Sequence, residues 1–240
     1  MTIAEMHYDF DLKIDKVASS AKPNFSRAEK DWLLNEAQNV IIKQRYGLTN
    51  PHRTGFEGTQ KRIDDLKELH IKYPLQPALN PSVLDSETLE LRLDALEYTY
   101  WFLTRAEIEI IEEACVKRAS LKPIQNDDIN YARKDPFNKS FREEVLYNTG
   151  KASNGLGSSL YIYPDGLATG QVYVEYVKQP ARMSFGGYVY LDGVTYPQQD
   201  CELSDHLHSE LVDMAVQIAA GIIENPNFVQ LKSNKVLTQE

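Results

Sequence analysis

The chain has 240 residues, 42% of them hydrophobic and 25% charged, proportions that exclude a collagen-like chain, a coiled-coil rod and a wholly disordered chain. That length is room for one large domain or two small ones with a real core. A net charge of −9 argues against a surface that grips nucleic-acid phosphates, and no apolar run approaches the roughly 20 residues a membrane helix requires.

At the N-terminus, Tyr8, Phe10, Leu12 and Ile14 alternate with Asp9, Asp11, Lys13 and Asp15, the two-residue period of a strand with one apolar face. Such a strand has to pair with the edge of its own sheet or with that of a neighbouring subunit, which makes these four apolar residues candidate subunit contacts. Ser26 and Glu29 then form a capping box preceded by Phe25, and Leu33, Ala37, Val40 and Ile41 continue it as a helix stopped by Gly47 and Pro51. A second helix is expected over about 57–73, with Ile63, Leu66, Leu69 and Tyr73 on one side and Pro74 as its end.

From Pro74 the pattern becomes that of strands. Leu89, Leu91 and Leu93 alternate with Glu90, Arg92 and Asp94, and 98–111 is rich in aromatic and β-branched residues. Residues 116–124 are expected to pair back on that strand, followed by a helical turn or two over 127–133. Further strands are expected over 145–148, 159–163, 171–178 and 188–191, with Pro164-Asp165-Gly166 as a turn. Short strands in this rhythm point to a small antiparallel β-sandwich or barrel. The last element is a helix entered through Leu203-Ser204-Asp205, with Leu207, Leu211, Met214, Ala215, Ile218 and Ile222 as its stripe and Asn225-Pro226 as its stop.

The expected fold class is therefore α+β. An N-terminal arm (1–24) leads into a helical bundle made of 25–73 with 203–225, the β domain (74–202) is inserted into it, and 226–240 forms a C-terminal arm. Phe228, Val229 and Leu231 in that arm join Tyr8, Phe10, Leu12 and Ile14 as candidate subunit contacts.

No motif calls for catalysis, a cofactor or a metal. The run from Gly150 to Gly157 lacks the first glycine of a phosphate loop, where Val145 stands, and its hydroxyl residue, where Ala152 stands. It also lacks the third glycine of a dinucleotide fingerprint, where Leu160 stands. His206 and His208 sit two residues apart on a helix, about 200° around its axis, and cannot chelate one ion together. Asp127, Asp128 and Asp135 lack the glycine and terminal glutamate of a calcium loop. Cys115 and Cys201 are expected as reduced thiols.

Several phrases carry a resemblance: Asp127-Asp128-Ile129-Asn130, Lys134-Asp135-Pro136-Phe137-Asn138-Lys139, Leu160-Tyr161-Ile162-Tyr163-Pro164, Phe185-Gly186-Gly187-Tyr188, and His206 through Gly221. Together they resemble the virion ring proteins of crAss-like tailed bacteriophages, over about 85–225 and again around Trp32 to Ile42. The resemblance implies a non-enzymatic subunit of the head-to-tail connector, stacked beneath the portal at the portal vertex of the virion. It implies a homo-oligomer, a dodecamer matching the portal, with the portal and adjacent ring or tail proteins as partners. Double-stranded DNA would pass through its channel without sequence-specific binding, and no membrane is involved. The rival expectation from a different class is a monomeric β-sandwich module that recognises carbohydrate or another host-surface ligand through exposed tyrosines.

Overall fold

The computed structural model describes residues 1–17, 25–46, 60–79, 88–112, 115–153, 155, 157–190 and 192–222. It is a mixed α+β protein of two compact units, one formed by 1–69 with 180–240 and the other by 70–179.

In the first unit the N-terminal segment is a helix, α1 (Ile3–Val17), and not the expected strand. Two signals decide this. Thr2 and Glu5 make a capping box, with the Thr2 amide donating to Glu5 Oε2 at 2.8 Å and the Met6 amide to the Thr2 carbonyl at 3.0 Å. Ile3, Met6, Phe10 and Ile14, spaced by three, four and four, are all buried, each worth about 1.5–3 kcal/mol of transfer free energy. Of the alternating residues from Tyr8 to Ile14 that suggested a strand, only every second one, Phe10 and Ile14, belongs to this stripe. Tyr8 and Leu12 lie on the opposite, exposed side.

Helix α2 (Arg27–Tyr46) starts at the expected capping box: the Ser26 amide donates to Glu29 Oε2 at 2.7 Å and the Glu29 amide to Ser26 Oγ at 3.3 Å. The Ser26 amide and hydroxyl, both donating to Glu29 Oε2, hold the Glu29 carboxyl below its usual range. Phe25, just outside the cap, packs edge-on against Phe10 of α1 with ring centroids 5.7 Å apart. Helix α3 (Gln60–Leu66) ends in a 3₁₀ turn, Lys67–Leu69. Helix α5 (His208–Ile222), entered through a 3₁₀ turn at Asp205–Leu207, buries Leu211, Val212, Ala215, Val216 and Ala219. Both α1 and α2 pack against α5. The buried face of α5 thus centres on Leu211 and Ala215, with Ile222 exposed at its end.

The second unit is one eight-stranded sheet. Its strands are β1 (His70–Leu75), β2 (Ala78–Leu79), β3 (Leu89–Arg92), β4 (Tyr100–Glu112), β5 (Cys115–Pro123), β6 (Glu144–Lys151), β7 (Ser158–Tyr163) and β8 (Thr169–Lys178), ordered β1-β8-β4-β5-β6-β7-β3-β2. The second helix therefore does not run on to Tyr73. Residues 70–75 pair with β8 from His70↔Val177 to Leu75↔Val172, and Pro74 is tolerated because β1 is an edge strand, with no ladder on its far side among the described residues.

Of the two expected forms, sandwich or barrel, the unit is not a two-sheet sandwich but a single curled sheet. Its two edge strands, β1 and β2, are joined only by Gln76 and Pro77, so Leu75 and Ala78 lie within about 11 Å of each other. The sheet must roll up for its edges to come that close. The inner face then forms one apolar core that includes Leu91, Ile108, Val145, Ile162, Val172 and Val174. Nor is the sheet wholly antiparallel: β5 and β6 run parallel, Ser120↔Glu144 to Pro123↔Tyr147, and are linked by a crossover containing α4 (Ile129–Lys134). Ile129 and Ala132 of α4 pack on Leu146, Tyr161 and Tyr163 of the outer face. Within the segment expected as a last strand, only an isolated bridge, Val189↔Thr195, is present; Leu191 lies outside the described residues.

Candidate assembly surface

Polar side chains tie each unit into a fixed body. In the first, Asp31 on α2 is fully buried; its Oδ1 lies 2.7 Å from His7 Nε2 on α1, and its Oδ2 accepts the Phe185 amide at 2.8 Å. One turn on, Asn35 accepts the Met183 amide at 2.9 Å and donates to the Met183 carbonyl at 2.8 Å, reproducing with one side chain the two bonds of a strand pair. Residues 183–185 are held against α2 in this way. Asp65, also buried, stands 2.7 Å from both Arg45 Nε and His206 Nε2, and Arg45 reaches on to Glu210 of α5 at 2.5 Å. A buried acid of this kind is tolerated only with charged and hydrogen-bonding partners.

The histidines and acids tested for metal ligation are spent separately. His206 pairs with Asp65, Glu210 with Arg45, and Asp213 with Lys13 at 2.8 Å. His208 is buried, donates from Nε2 to the Leu203 carbonyl at 2.9 Å, and at Nδ1 accepts the Met1 amine, also at 2.9 Å. Burial first, and then the neighbouring amine, push the His208 pKa down. Among the described residues no group of three or more His, Cys, Asp or Glu side chains could hold a metal ion.

The glycine-rich run is closed by a carboxylate of the chain itself. Glu90 of β3 is buried and accepts the Ser153 amide at 2.9 Å, Ser153 Oγ at 2.7 Å and Ser159 Oγ at 2.8 Å. The amide that a phosphate would need is already bonded. Gly150 lies under the ring of Tyr161, whose hydroxyl donates to the Lys151 carbonyl at 2.6 Å.

The β5–β6 crossover presents the most exposed aromatic side chain of the described residues. Asp135 accepts the Phe137 amide at 3.0 Å and Asn138 Nδ2 at 2.5 Å, while the Lys139 amide bonds the Asp135 carbonyl at 3.0 Å. These bonds hold the Asp135 carboxyl below its usual range and fix the turn Pro136-Phe137-Asn138. Phe137 stands at its tip, 90% exposed, with Tyr131 at 78% and Phe141 at 45% on the same crossover. Beside them a cleft of about 310 Å³ is lined in part by Pro123, Ile124, Tyr131, Ala132 and Leu146. Fixed, exposed aromatic side chains are typical of contact surfaces.

The candidate contacts chosen from sequence divide. Tyr8 and Leu12 are exposed on α1, Phe10 and Ile14 are buried in the core of their own unit, and Phe228, Val229 and Leu231 lie outside the described residues. Tyr131, Phe137 and Phe141, exposed in the structure, were not among those candidates. The available signal was Asp135-Pro136-Phe137-Asn138, a turn motif with an aromatic residue at its tip.

The family model described as phage tail ring protein 3/4 matches residues 1–226. A curated relative, Ring protein 4/5 of Bacteroides phage crAss001, is 26% identical over 229 residues, covering 91% of this chain and 92% of its own length. With the match running from α1 through α5, the chain belongs to the ring-protein family of crAss-like phages.

Proposed function

We propose that this chain is a structural subunit of a closed homo-oligomeric ring, twelvefold like the portal, in the head-to-tail connector of the virion. In this reading it is made in the host cytoplasm, sits beneath the portal, completes the DNA channel and supports the tail. The observation that carries the reading is the family match along nearly the whole chain. The helices α1, α2 and α5 serve as a rigid helical bundle and the rolled sheet as a second rigid body, parts suited to a wall rather than to turnover of a substrate.

Charge supports the same role. A subunit with a net charge of −9 repels a passing polyanion, so DNA moves through without being gripped and without sequence-specific contacts. Of the tyrosines on which a glycan-binding module would draw, Tyr147, Tyr161, Tyr163, Tyr176 and Tyr190 are buried, and Tyr8, Tyr98 and Tyr131 are exposed. The test is to measure the solution mass of the purified chain, mix it with its cognate portal and image the product. Closed rings stacked on the portal are expected. A chain that stays monomeric both alone and with the portal overturns the reading.

A further inference from the structure

Helix α1 is apolar on two sides. One stripe, Ile3, Met6, Phe10 and Ile14, is buried in its own unit; a second, Ala4, Tyr8 and Leu12 at steps of four, faces solvent, with Tyr8 68% exposed. A helix with apolar residues on both sides is built to be covered on both. Elsewhere, on a segment sharing no residue with α1, the α4 crossover holds Tyr131, Phe137 and Phe141 out in water.

We propose that neighbouring copies meet head to tail, the outer stripe of α1 on one copy lying against the α4 crossover of the next. This rests on the ring reading above and names the surfaces that would close the ring. Closure by a repeated head-to-tail contact requires two different patches on each copy, each complementary to the other. The described surface supplies two, and their charges are opposite. Helix α1 carries four acids against two lysines, whereas residues 122–142 carry five lysines and arginines against three acids; Lys122, Arg133 and Arg142 are paired with Glu144, Asp165 and Glu112, so Lys134 and Lys139, beside Phe137, are the cations the crossover would offer a neighbour. Opposed signs of this kind steer two copies into register and disfavour α1 against α1 or crossover against crossover. The aromatic side chains Tyr8, Tyr131 and Phe137 supply the buried anchors that such a contact needs at its centre.

A mixing experiment tests the pairing. One variant carries Tyr8→Asp with Leu12→Asp, the other Tyr131→Ser with Phe137→Asp; all four positions are exposed, so circular dichroism and thermal midpoints should match the wild type. At concentrations where the wild type forms rings, each variant alone is expected to sediment as a monomer. A one-to-one mixture is expected to give a dimer and nothing larger, because one intact pair of patches remains. A mixture that stays monomeric, a variant that assembles like the wild type, or an α1 variant that dimerises by itself overturns the pairing.

A second readout does not depend on weakening the contact. Leu12→Cys with Phe137→Cys, in a Cys115→Ser background, is expected to yield a ladder of inter-copy disulfides when assembled rings are oxidised. Rings without a ladder overturn the pairing and leave the ring reading standing. A wild-type chain that forms no ring, alone or with its portal, overturns both.

Discussion

His7 Nε2 on α1 stands 2.7 Å from Asp31 Oδ1 on α2, with both side chains buried, so an imidazole and a carboxylate join the first two helices inside the core of their unit. The other Asp31 oxygen binds the Phe185 amide, and the Phe185 ring lies beside His7 with centroids 5.2 Å apart. Replacing Asp31 by Ala leaves His7 and that amide without partners. The expected cost is about 3 kcal/mol, the scale for breaking a buried pair from one side. Asp31→Asn keeps one acceptor and should cost less. Urea unfolding followed by circular dichroism measures both, and equal losses would show that the carboxylate has no special part.

How much of this was legible in the sequence depends on which interaction builds each element. Helix α2 was legible because Ser26 and Glu29 are a local signal and its apolar stripe follows at once. Helix α1 was misread because Tyr8, Phe10, Leu12 and Ile14 satisfy a two-residue period, although Thr2-x-x-Glu5 and the stripe from Ile3 to Ile14 were present in the same stretch. The strands were largely legible, but the closure of the sheet was not. Its edges are brought together by the short link Gln76-Pro77, and the parallel pairing of β5 with β6 is a long-range relationship without a local pattern. The attachment of 183–185 to α2 rests on Asp31 and Asn35, polar residues whose role no hydrophobic period reveals. Of the candidate contact residues, Tyr8 and Leu12 were chosen as part of the apolar face of a strand, whereas the structure places them on the exposed side of helix α1.

Glu90 offers a second test, on the sheet unit. Its two oxygens accept three bonds that hold Ser153 and Ser159, and glutamine at this position supplies one acceptor oxygen and a donor that faces donors. Glu90→Gln is expected to loosen the 150–158 connection by about 2 kcal/mol and to speed tryptic cleavage after Lys151. Gly150→Ala should act in the same direction. A Cβ there would stand 2.8 Å from Tyr161 Cε2, and the Tyr161 ring is held in place by its bond to the Lys151 carbonyl. Unchanged cleavage rates in both variants would contradict this account.

The two thiols should differ sharply in reactivity. Cys115 is exposed at the start of β5, whereas burial pushes the Cys201 thiol up to about 11, against the weaker opposing effect of a backbone hydrogen bond at Leu203. Because the thiolate is the reactive form, a disulfide reagent at pH 8 is expected to modify Cys115 at least about tenfold faster than Cys201 in the folded chain. Both should react alike in denaturant. Peptide mapping of singly modified protein identifies the site, and preferential labelling of Cys201 would refute the assignment.

Acid should weaken the helical unit through His208, and the direction follows from its surroundings. Burial and the Met1 amine hold the folded-state pKa of His208 below the ordinary value of 6.5, outweighing the Leu203 carbonyl and the Asp205 carboxylate, which lies 3.4 Å from Nδ1. The unfolded chain therefore binds a proton at a higher pH than the folded one. Stability is fully present above about pH 6.5 and declines as the pH falls through that value towards the lower folded-state pKa. Asp205, held below 3.8 chiefly by its bond to the Met1 amine, contributes in the same sense but only in more acid solution, where its stabilisation is lost. Urea unfolding at pH 8 and pH 5.5 should thus show a larger loss for the wild type than for His208→Gln, which has no titrating ring. If the wild type and the variant lose stability in parallel, His208 is not the group responsible.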